Sequence, residues 1–513
     1  MSEDSLKKRY LYKLSTNLIG LAIGLVTQAI IPRGLGPKLY GDFSFLSNFF
    51  TQFVGFFDMG TSIGFYTKLS QRQKDVGIVT FYVSFAIIVS IAVFLLVFSV
   101  SFTPYTQKIW PDQLMFFVYL AAIWGIFSWF IQILNQIVDA FGVTVPAEKA
   151  RIAQKILGVI LILGMFFSDR LNLSNFFYYH YVLFIALGFA FCWIMKKHVA
   201  SFCVSWKISK DQGLAYVKEF YQYSHPLFVY ALVGLFVNIL DRWLLQVFSG
   251  SVQQGFYGLS YQIGAICFLF TSAMTPLITR EFSIAYAKQD LTQMAYLFRR
   301  YIPLLYGIAA FFSCFISMQA ESVAYILGGA KFHDAALAIA IMAFYPIHQT
   351  YGQLSGSVFF ATGQTGLYRN IGVTFMIIGL PITYFLIAPV DMMGLNAGST
   401  GLAIKMVLIQ VVGVNVGLYF ISKFLKLSFW KYFVHQIVCV GCLLLLAFLS
   451  LEVVDYFQIS SNIVINFLIN GIIYTISVAA LTYFVPALFG LTRKDIRSFF
   501  QFLSKDGIRR IER

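Results

Sequence analysis

Charge is what this sequence is short of. Only 12% of its 513 residues are Asp, Glu, Lys or Arg, against 59% hydrophobic residues and a mean hydropathy of +0.76. Such a chain lacks the polar side chains needed to cover a water-facing surface, so a soluble globule is excluded at the first step. Cysteine is also sparse: Cys192, Cys203, Cys267, Cys314, Cys439 and Cys442 fall almost entirely inside apolar runs, which excludes a disulfide framework. Cys439 and Cys442 have CxxC spacing but no His or acidic neighbour to complete a zinc site, and they read as packing residues. Long outer loops with paired carboxylates, a phosphate-binding Gly-Lys-Ser motif and HExxH are all missing. An enzyme and an ATP-driven pump are therefore not expected, no cofactor or metal is expected, and any transport has to draw on a gradient.

What the chain has instead is apolar length. Spanning a bilayer takes about 20 mostly apolar residues. Runs of that kind lie near 14 to 32, 43 to 66, 76 to 101, 114 to 137, 155 to 168 and 176 to 195, then near 225 to 248, 256 to 279, 301 to 320 and 336 to 361, and finally near 367 to 389, 400 to 421, 433 to 451 and 462 to 485. The expectation is an all-α integral membrane protein with about 14 transmembrane helices. Aromatics at 18%, with 56 phenylalanines, suit helices whose outer faces meet lipid. The first run contains Gln28 and Pro32, is followed by Arg33 and has no small-residue cleavage pattern, so it reads as an uncleaved helix, bent at Gly20 and Gly24, and not as a signal peptide.

The formal charge of +15 would suit nucleic acid, but its placement argues otherwise. With the N-terminus set in the cytoplasm, most of the 37 Lys and Arg fall in inside segments, including Lys196, Lys197, Lys207, Lys210, Lys218 and the basic tail from Arg493 to Arg513. The outside loops keep only Arg33, Lys38, Lys108, Arg170 and Lys331. That asymmetry predicts a cytoplasmic (inner) membrane protein with both termini cytoplasmic and its excess charge facing anionic lipid headgroups, with no nucleic-acid partner. The implied segments are 1–13 as a cytoplasmic lead, 14–195 as an N-lobe, 196–224 as a basic linker, 225–421 as a C-lobe, 422–485 as two further spans, and 486–513 as a cytoplasmic tail. One internal echo supports two lobes: Gly36 to Gly41, then Ser44, against Gly255, Phe256, Tyr257, Gly258, then Ser260, each read as an outer turn entering the next helix. Six spans separate the copies, so the lobes would be parallel repeats.

Charges inside a bilayer cost about 2.5 to 3.5 kcal/mol each on insertion scales and usually face a cavity or a partner. Asp58, Asp241, Arg242 and Lys405 are the cases here. Asp241 and Arg242 are adjacent and point about 100° apart on a helix, so they address different partners; for both, a structural ion pair stands beside cavity lining. Lys405 either lines the cavity or snorkels to the headgroups. Asp58, beside Met59 and Gly60, is either an ion-coupling group or held by a helix–helix hydrogen bond. His348, in Tyr345-Pro346-Ile347-His348-Gln349, is a proton-relay candidate or simply bonds a carbonyl freed by the proline. Amides at Gln28, Gln52, Gln132, Asn135, Gln136, Asn238, Gln262, Gln349, Gln353, Gln410 and Asn415 suit a wet cavity for a hydroxyl-rich substrate, or glue between helices.

Pro32-Arg33-Gly34-Leu35-Gly36-Pro37-Lys38-Leu39-Tyr40-Gly41, followed by Asp58-Met59-Gly60, resembles the opening of polysaccharide flippases, the polysaccharide-transport branch of the multidrug/oligosaccharidyl-lipid/polysaccharide exporter superfamily. Asn238 to Leu245 and then Gly255 to Tyr261 resemble that family's second-lobe opening, and Thr362-Gly363-Gln364 with Gly394 to Gly401 resemble its later turns. The resemblance implies two six-helix lobes around a central cavity plus two C-terminal helices, working by alternating access. It implies an undecaprenyl-pyrophosphate-linked glycan as substrate, destined for O-antigen, capsule or exopolysaccharide, with membrane lipid and a polysaccharide polymerase as partners. Arg33 matches the family's first-turn arginine and Arg242 the second-lobe charge, and arginine suits a pyrophosphate. The substrate-binding candidates are thus Arg33, Arg242, Lys405, Asp241 and Asn238, and the ion-coupling candidates are Asp58, Asp241 and His348. Two other readings stand: a cation-coupled drug antiporter of the same superfamily, which would favour acidic cavity residues, and a membrane-embedded polymerase, which would need a large outer loop.

Overall fold

The computed structural model describes residues 6–58, 61–72, 75–198, 209–267, 269–458 and 460–497. Among them there is helix and no strand, as a lipid solvent demands: only helices and closed barrels satisfy every backbone group without water. The helices are α1 (Leu6–Asp58), α2 (Thr61–Gln71), α3 (Val76–Ser101), α4 (Thr106–Ile109), α5 (Met115–Ala140), α6 (Thr144–Phe167), α7 (Leu173–His198), α8 (Lys210–Cys267) and α9 (Leu269–Ala287). They continue as α10 (Leu291–Met318), α11 (Ala320–Gly328), α12 (Ala336–Met342), α13 (Tyr345–Ala361), α14 (Thr365–Ile387), α15 (Gly398–Phe424), α16 (Phe429–Phe457) and α17 (Ile463–Phe484).

Eleven helical stretches among the described residues are long and apolar enough to cross a membrane, so the chain is a multi-pass membrane protein. One of the eleven, Phe228–Ala265, is a single stretch that the sequence reading divides into two spans, and the two limbs of α1 are not among them. Their surfaces carry bare apolar side chains such as Ile88, Ile160 and Phe189, which only lipid can cover.

The chain forms two compact units. Residues 1–258 with 387–398 make the first, and 259–386 with 399–513 the second. In the first, Phe65, Tyr82, Trp129, Ile133 and Phe191 centre one buried cluster, and Phe45, Phe50, Trp110 and Phe177 another. In the second, Phe298, Tyr306, Tyr351, Leu443 and Tyr474 lie in one continuous core.

Four local features differ from the sequence reading. First, α1 is helical through Gly20 and Gly24, and its break is at Gly36, whose φ of 73° is a conformation glycine alone adopts without strain. Pro37 then opens the second limb, where its missing N–H has no partner to lose. Second, the expected gap between 248 and 256 lies inside α8, which is kinked at Gly250; within the run 43 to 66, residues 59 and 60 lie outside the described ones. Third, the run 336 to 361 is divided into α12 and α13, with Pro346 in the first turn of α13. Fourth, α6 begins at Thr144, eleven residues before the expected start near 155, and so draws Glu148, Arg151 and Lys155 into a spanning helix. At 1.5 Å per residue its 24 residues reach about 36 Å, enough to cross the hydrocarbon.

Candidate functional site

The internal echo is real in structure but sits in another register. α8 breaks at Gly250 with φ 74° and ψ −176°, nearly the values of Gly36, φ 73° and ψ 169°. Five residues after each break comes the glycine at which the two helices cross. A Cβ on Gly41 would lie 1.7 Å from the Ser251 carbonyl oxygen, and one on Gly255 would lie 2.1 Å from that of Pro37. Gly36 therefore pairs with Gly250 and Gly41 with Gly255, so Tyr257-Gly258 is not the counterpart of Tyr40-Gly41. Only glycine lets the two backbones approach this closely.

Arg242 is built into this crossing. Its Nη1 donates to Ser44 Oγ and to Gln254 Oε1, both at 3.1 Å, and its guanidinium lies 4.4 Å from the ring centre of Tyr257. Gln254 Nε2 donates back to the Arg242 carbonyl. The neighbouring Asp241 is buried while Arg242 is only partly so, which fits adjacent side chains serving different surroundings. Asn238, one turn before Arg242, is exposed and donates to its own helix at the Gly234 carbonyl, 2.8 Å away. Beside the crossing, Asp42 accepts from Ser251 and, at 2.8 Å, from Gln113, and Gln246 donates to Ser251 at 3.0 Å. Asp42, Gln113, Ser251 and Gln246 are all buried, so this is a dry, bonded polar network. Arg33, three residues before Gly36, is exposed.

A second polar group occupies α6 and was missed in sequence. Glu148, Arg151 and Lys155 follow at i, i+3 and i+7 and share one helix face. Arg151 bonds Glu148, donates through Nε and Nη2 to Asn135 Oδ1 at 3.0 and 2.7 Å, lies 3.7 Å from Asp139 and covers the Phe191 ring at 5.6 Å. Lys155 differs: among the described residues its ammonium has no hydrogen bond and no ion pair, and Glu148, the acidic group that acts on it, is already taken by Arg151. The ammonium rests on α1 where Gly20 lacks a side chain, since a Cβ there would lie 2.0 Å from Nζ. The periodic spacing, and an expected span of only 14 residues, were the signals available in sequence.

Asp58 is held by the first turn of α2 and by α3. It accepts from Ser62 N at 3.2 Å and Ser62 Oγ at 2.8 Å, from Thr61 Oγ1 at 3.2 Å, and from the Tyr82 hydroxyl at 2.6 Å. It thereby ties the first turn of α2 to α3. Close by, Phe57, Phe81, Phe85, Phe220 and Tyr221 help line an apolar cavity of about 540 Å³. Beside it Glu219 bridges Arg72 at 2.5 Å and Lys68 at 2.8 Å. The hydrogen bond from Arg72 holds the Glu219 carboxyl below its ordinary range and, reciprocally, raises the Arg72 guanidinium.

In the second unit, Lys405 is buried against Gly379 of α14, where a Cβ would meet its Cε at 2.9 Å. His348 stands 6.3 Å, ring to ring, from Tyr306, and its Nδ1 is buried without a hydrogen bond. The amides form a seam between helices: Gln410 donates to Gln349 at 2.5 Å, Gln353 accepts from Thr275 at 3.0 Å, and Asn415 and Gln436 exchange two bonds. These amides hold helices together, which leaves Gln28, with a buried and unbonded Oε1, among those still able to accept from a ligand.

Comparison with known proteins follows the same lines. The family model described as "Polysaccharide biosynthesis protein" matches residues 6–282, more than half of the chain. A curated relative, the probable low-salt glycan biosynthesis flippase Agl15 of Haloferax volcanii, is 23% identical over 222 residues. That match covers 43% of this chain, which thus spans just under half (45%) of that relative's length. Among solved structures, the lipid II flippase MurJ in an inward closed conformation is similar with a TM-score of 0.64 at 12% identity, covering 92% of this chain and 98% of that one. An inward-facing MATE family multidrug resistance transporter of the MOP superfamily has a TM-score of 0.56 at 15% identity, covering 80% and 95%. At these identities the two structures establish a shared fold.

Proposed function

We propose, for a chain that belongs to the polysaccharide biosynthesis protein family, that it is a flippase carrying lipid-linked oligosaccharide units across the cytoplasmic membrane by alternating access. The observation that supports this reading is that membership, joined to a curated relative named as a glycan biosynthesis flippase. The substrate is an undecaprenyl-pyrophosphate-linked repeat unit assembled on the inner face for O-antigen, capsule or exopolysaccharide, and a polysaccharide polymerase receives it outside. Both chain ends lie on the cytoplasmic side, consistent with the excess of Lys and Arg in the segments so placed.

Arg33 and Arg242 serve the pyrophosphate, Arg33 as an exposed contact and Arg242 as a cation already oriented by Ser44, Gln254 and Tyr257. Asn238 and Asp241 flank Arg242 on α8, and Lys405, on α15 of the second unit, is a third cation for the substrate. Asp58 and His348, with Asp241, are the groups at which a coupling ion or proton is carried. The decisive experiment is depletion of the protein, followed by labelling of the lipid-linked intermediate with a reagent that cannot cross the membrane. Accumulation of intermediate shielded from label is the expected result. Normal exposure of the intermediate would sink the flippase reading and leave small-molecule efflux as the alternative.

A further inference from the structure

A lysine midway along a spanning helix, without a counterion among the described residues, needs explaining. Lys155 lies eleven residues from Thr144 and twelve from Phe167, so both ends of α6 are roughly 16 to 18 Å away. A charge well inside a spanning helix is costly unless water, a partner or a ligand meets it. The protein provides such a partner to Arg151, one turn nearer the cytoplasm, through Glu148, Asp139 and Asn135. It provides none to Lys155 among the described residues, and instead makes room for it. Gly20 leaves a notch for the ammonium, and Gly24, one turn along the same face of α1, has nothing within 4 Å of where a Cβ would stand. Gln28, a further turn on, keeps its unbonded Oε1. α1 thus carries, in order, a seated cation, an open step and a hydrogen-bond acceptor, as a ligand with an oxyanion joined to hydroxyl-bearing rings requires.

We infer that Lys155, seated on Gly20 and set apart from the Glu148–Arg151 pair, is a binding residue for a phosphate oxyanion of the transported lipid. The Gly24 step gives room for the first sugar and Gln28 accepts from one of its hydroxyls. This rests on the flippase reading and adds to it a residue that neither the family resemblance nor hydropathy points to. The ammonium is solvated by the ligand when the site is filled and by water when it is empty. The bonded Arg151 is the fixed positive charge beneath it.

The test uses the full chain in lipid nanodiscs, with farnesyl pyrophosphate, inorganic pyrophosphate, farnesol and glucuronate as probes. Wild type should bind farnesyl pyrophosphate, and Lys155→Gln should weaken that binding about tenfold, the loss of one charge-assisted contact. Lys155→Arg should stay within about threefold, and Lys149→Gln, on an exposed neighbour, within about twofold. Gly20→Ala supplies a second variant that keeps every charge: its Cβ displaces the flexible end of Lys155 and no backbone, so the fold survives while affinity falls about threefold or more. Unchanged affinity in Lys155→Gln, or in Gly20→Ala should Lys155→Gln fail to fold, overturns the assignment. Binding of glucuronate in place of either pyrophosphate overturns the phosphate. Binding of inorganic pyrophosphate as tight as that of farnesyl pyrophosphate identifies a free anion, not the lipid, as the ligand and overturns the lipid assignment. In depleted cells the two ideas separate. Shielded intermediate that Lys155→Gln clears as well as wild type defeats this inference alone, whereas absence of shielded intermediate defeats the flippase reading beneath it.

Discussion

Arg242 and Lys155 are both cations on membrane helices of the same unit, and they are treated in opposite ways. Arg242 has Ser44, Gln254 and Tyr257 around its guanidinium and a carbonyl taken by Gln254. Lys155 has a notch in place of a side chain and no bond among the described residues. The difference separates two uses of charge in a dry medium. A cation whose donors are met by neighbours supports the architecture as well as any ligand, because removing it strands those neighbours; one left unmet gains its stabilisation only when something enters. Hydropathy counts the two alike, since it records that a charge is present and not what surrounds it.

The contrast breaks first at the crossing that orders Arg242. In Gly255→Ala the new Cβ would stand 2.1 Å from the Pro37 carbonyl oxygen, and in Gly41→Ala 1.7 Å from that of Ser251. Both obstacles are backbone, so α1 and α8 must separate, and Ser44 and Gln254 move off the guanidinium with them. Each substitution should cost more than about 4 kcal/mol, at the level where a membrane protein ceases to accumulate. The check is the yield of monodisperse protein after heating; a glycine variant as heat-resistant as wild type would show that the crossing is not what holds Arg242.

Removing the arginine itself should cost less. Arg242→Ala leaves Gln254 Oε1 and Ser44 Oγ without their donor, a loss of about 2 kcal/mol. Arg242→Lys keeps the charge over Tyr257 but gives up the planar fork, and should recover only part of that loss. Lys155→Gln should move stability by about 1 kcal/mol or less, towards greater stability, since an unpaired charge leaves the bilayer interior. Heat resistance measured on both variants, beside clearance of the lipid-linked intermediate, sharpens the comparison. Arg242→Ala loses stability and transport together, whereas Lys155→Gln loses transport alone. A Lys155→Gln protein as unstable as Arg242→Ala would show that Lys155, like Arg242, is needed by the fold.

What could be read in the sequence follows the same division. Membrane insertion, the positions of most spans and a special role for Gly36, Gly41 and Gly255 were legible, because an apolar run of about 20 residues and a glycine cluster are local signals. The start of α6 was not. Glu148, Lys149, Arg151 and Lys155 look like a cytoplasmic loop to any hydropathy window, and only their spacing of three and four reveals a helical face whose charges answer Asn135 and Asp139 on α5. Of the two readings of Asp58, the helix–helix hydrogen bond has its partner in Tyr82 of α3, which comes beside Asp58 only on folding. The repeat was found three residues out of step because Tyr-Gly is the more conspicuous match, while the governing feature is a pair of glycines at positive φ, five residues ahead of a crossing.

A third charged group gives the smallest effect and completes the comparison, because it is paired but wet. Glu219 meets Arg72 and Lys68 at the C-terminal end of α2, with about a quarter or more of each side chain exposed. Its carboxyl is held below the ordinary value, chiefly by the hydrogen bond from Arg72. A depressed folded-state value means that the stabilisation is fully present above the unfolded carboxylate range near pH 4.3 and is lost as pH falls through the folded value. Water and salt screen a pair of this kind, so the loss should be under about 1 kcal/mol and smaller still in 1 M salt. Heat resistance followed from pH 6 to pH 3 should therefore decline slightly less in Glu219→Gln than in wild type, with the gap closing at high salt. A large gap that salt leaves untouched would mean that Glu219 is as dry as Arg242, and that exposure is not what makes its pairing cheap to break.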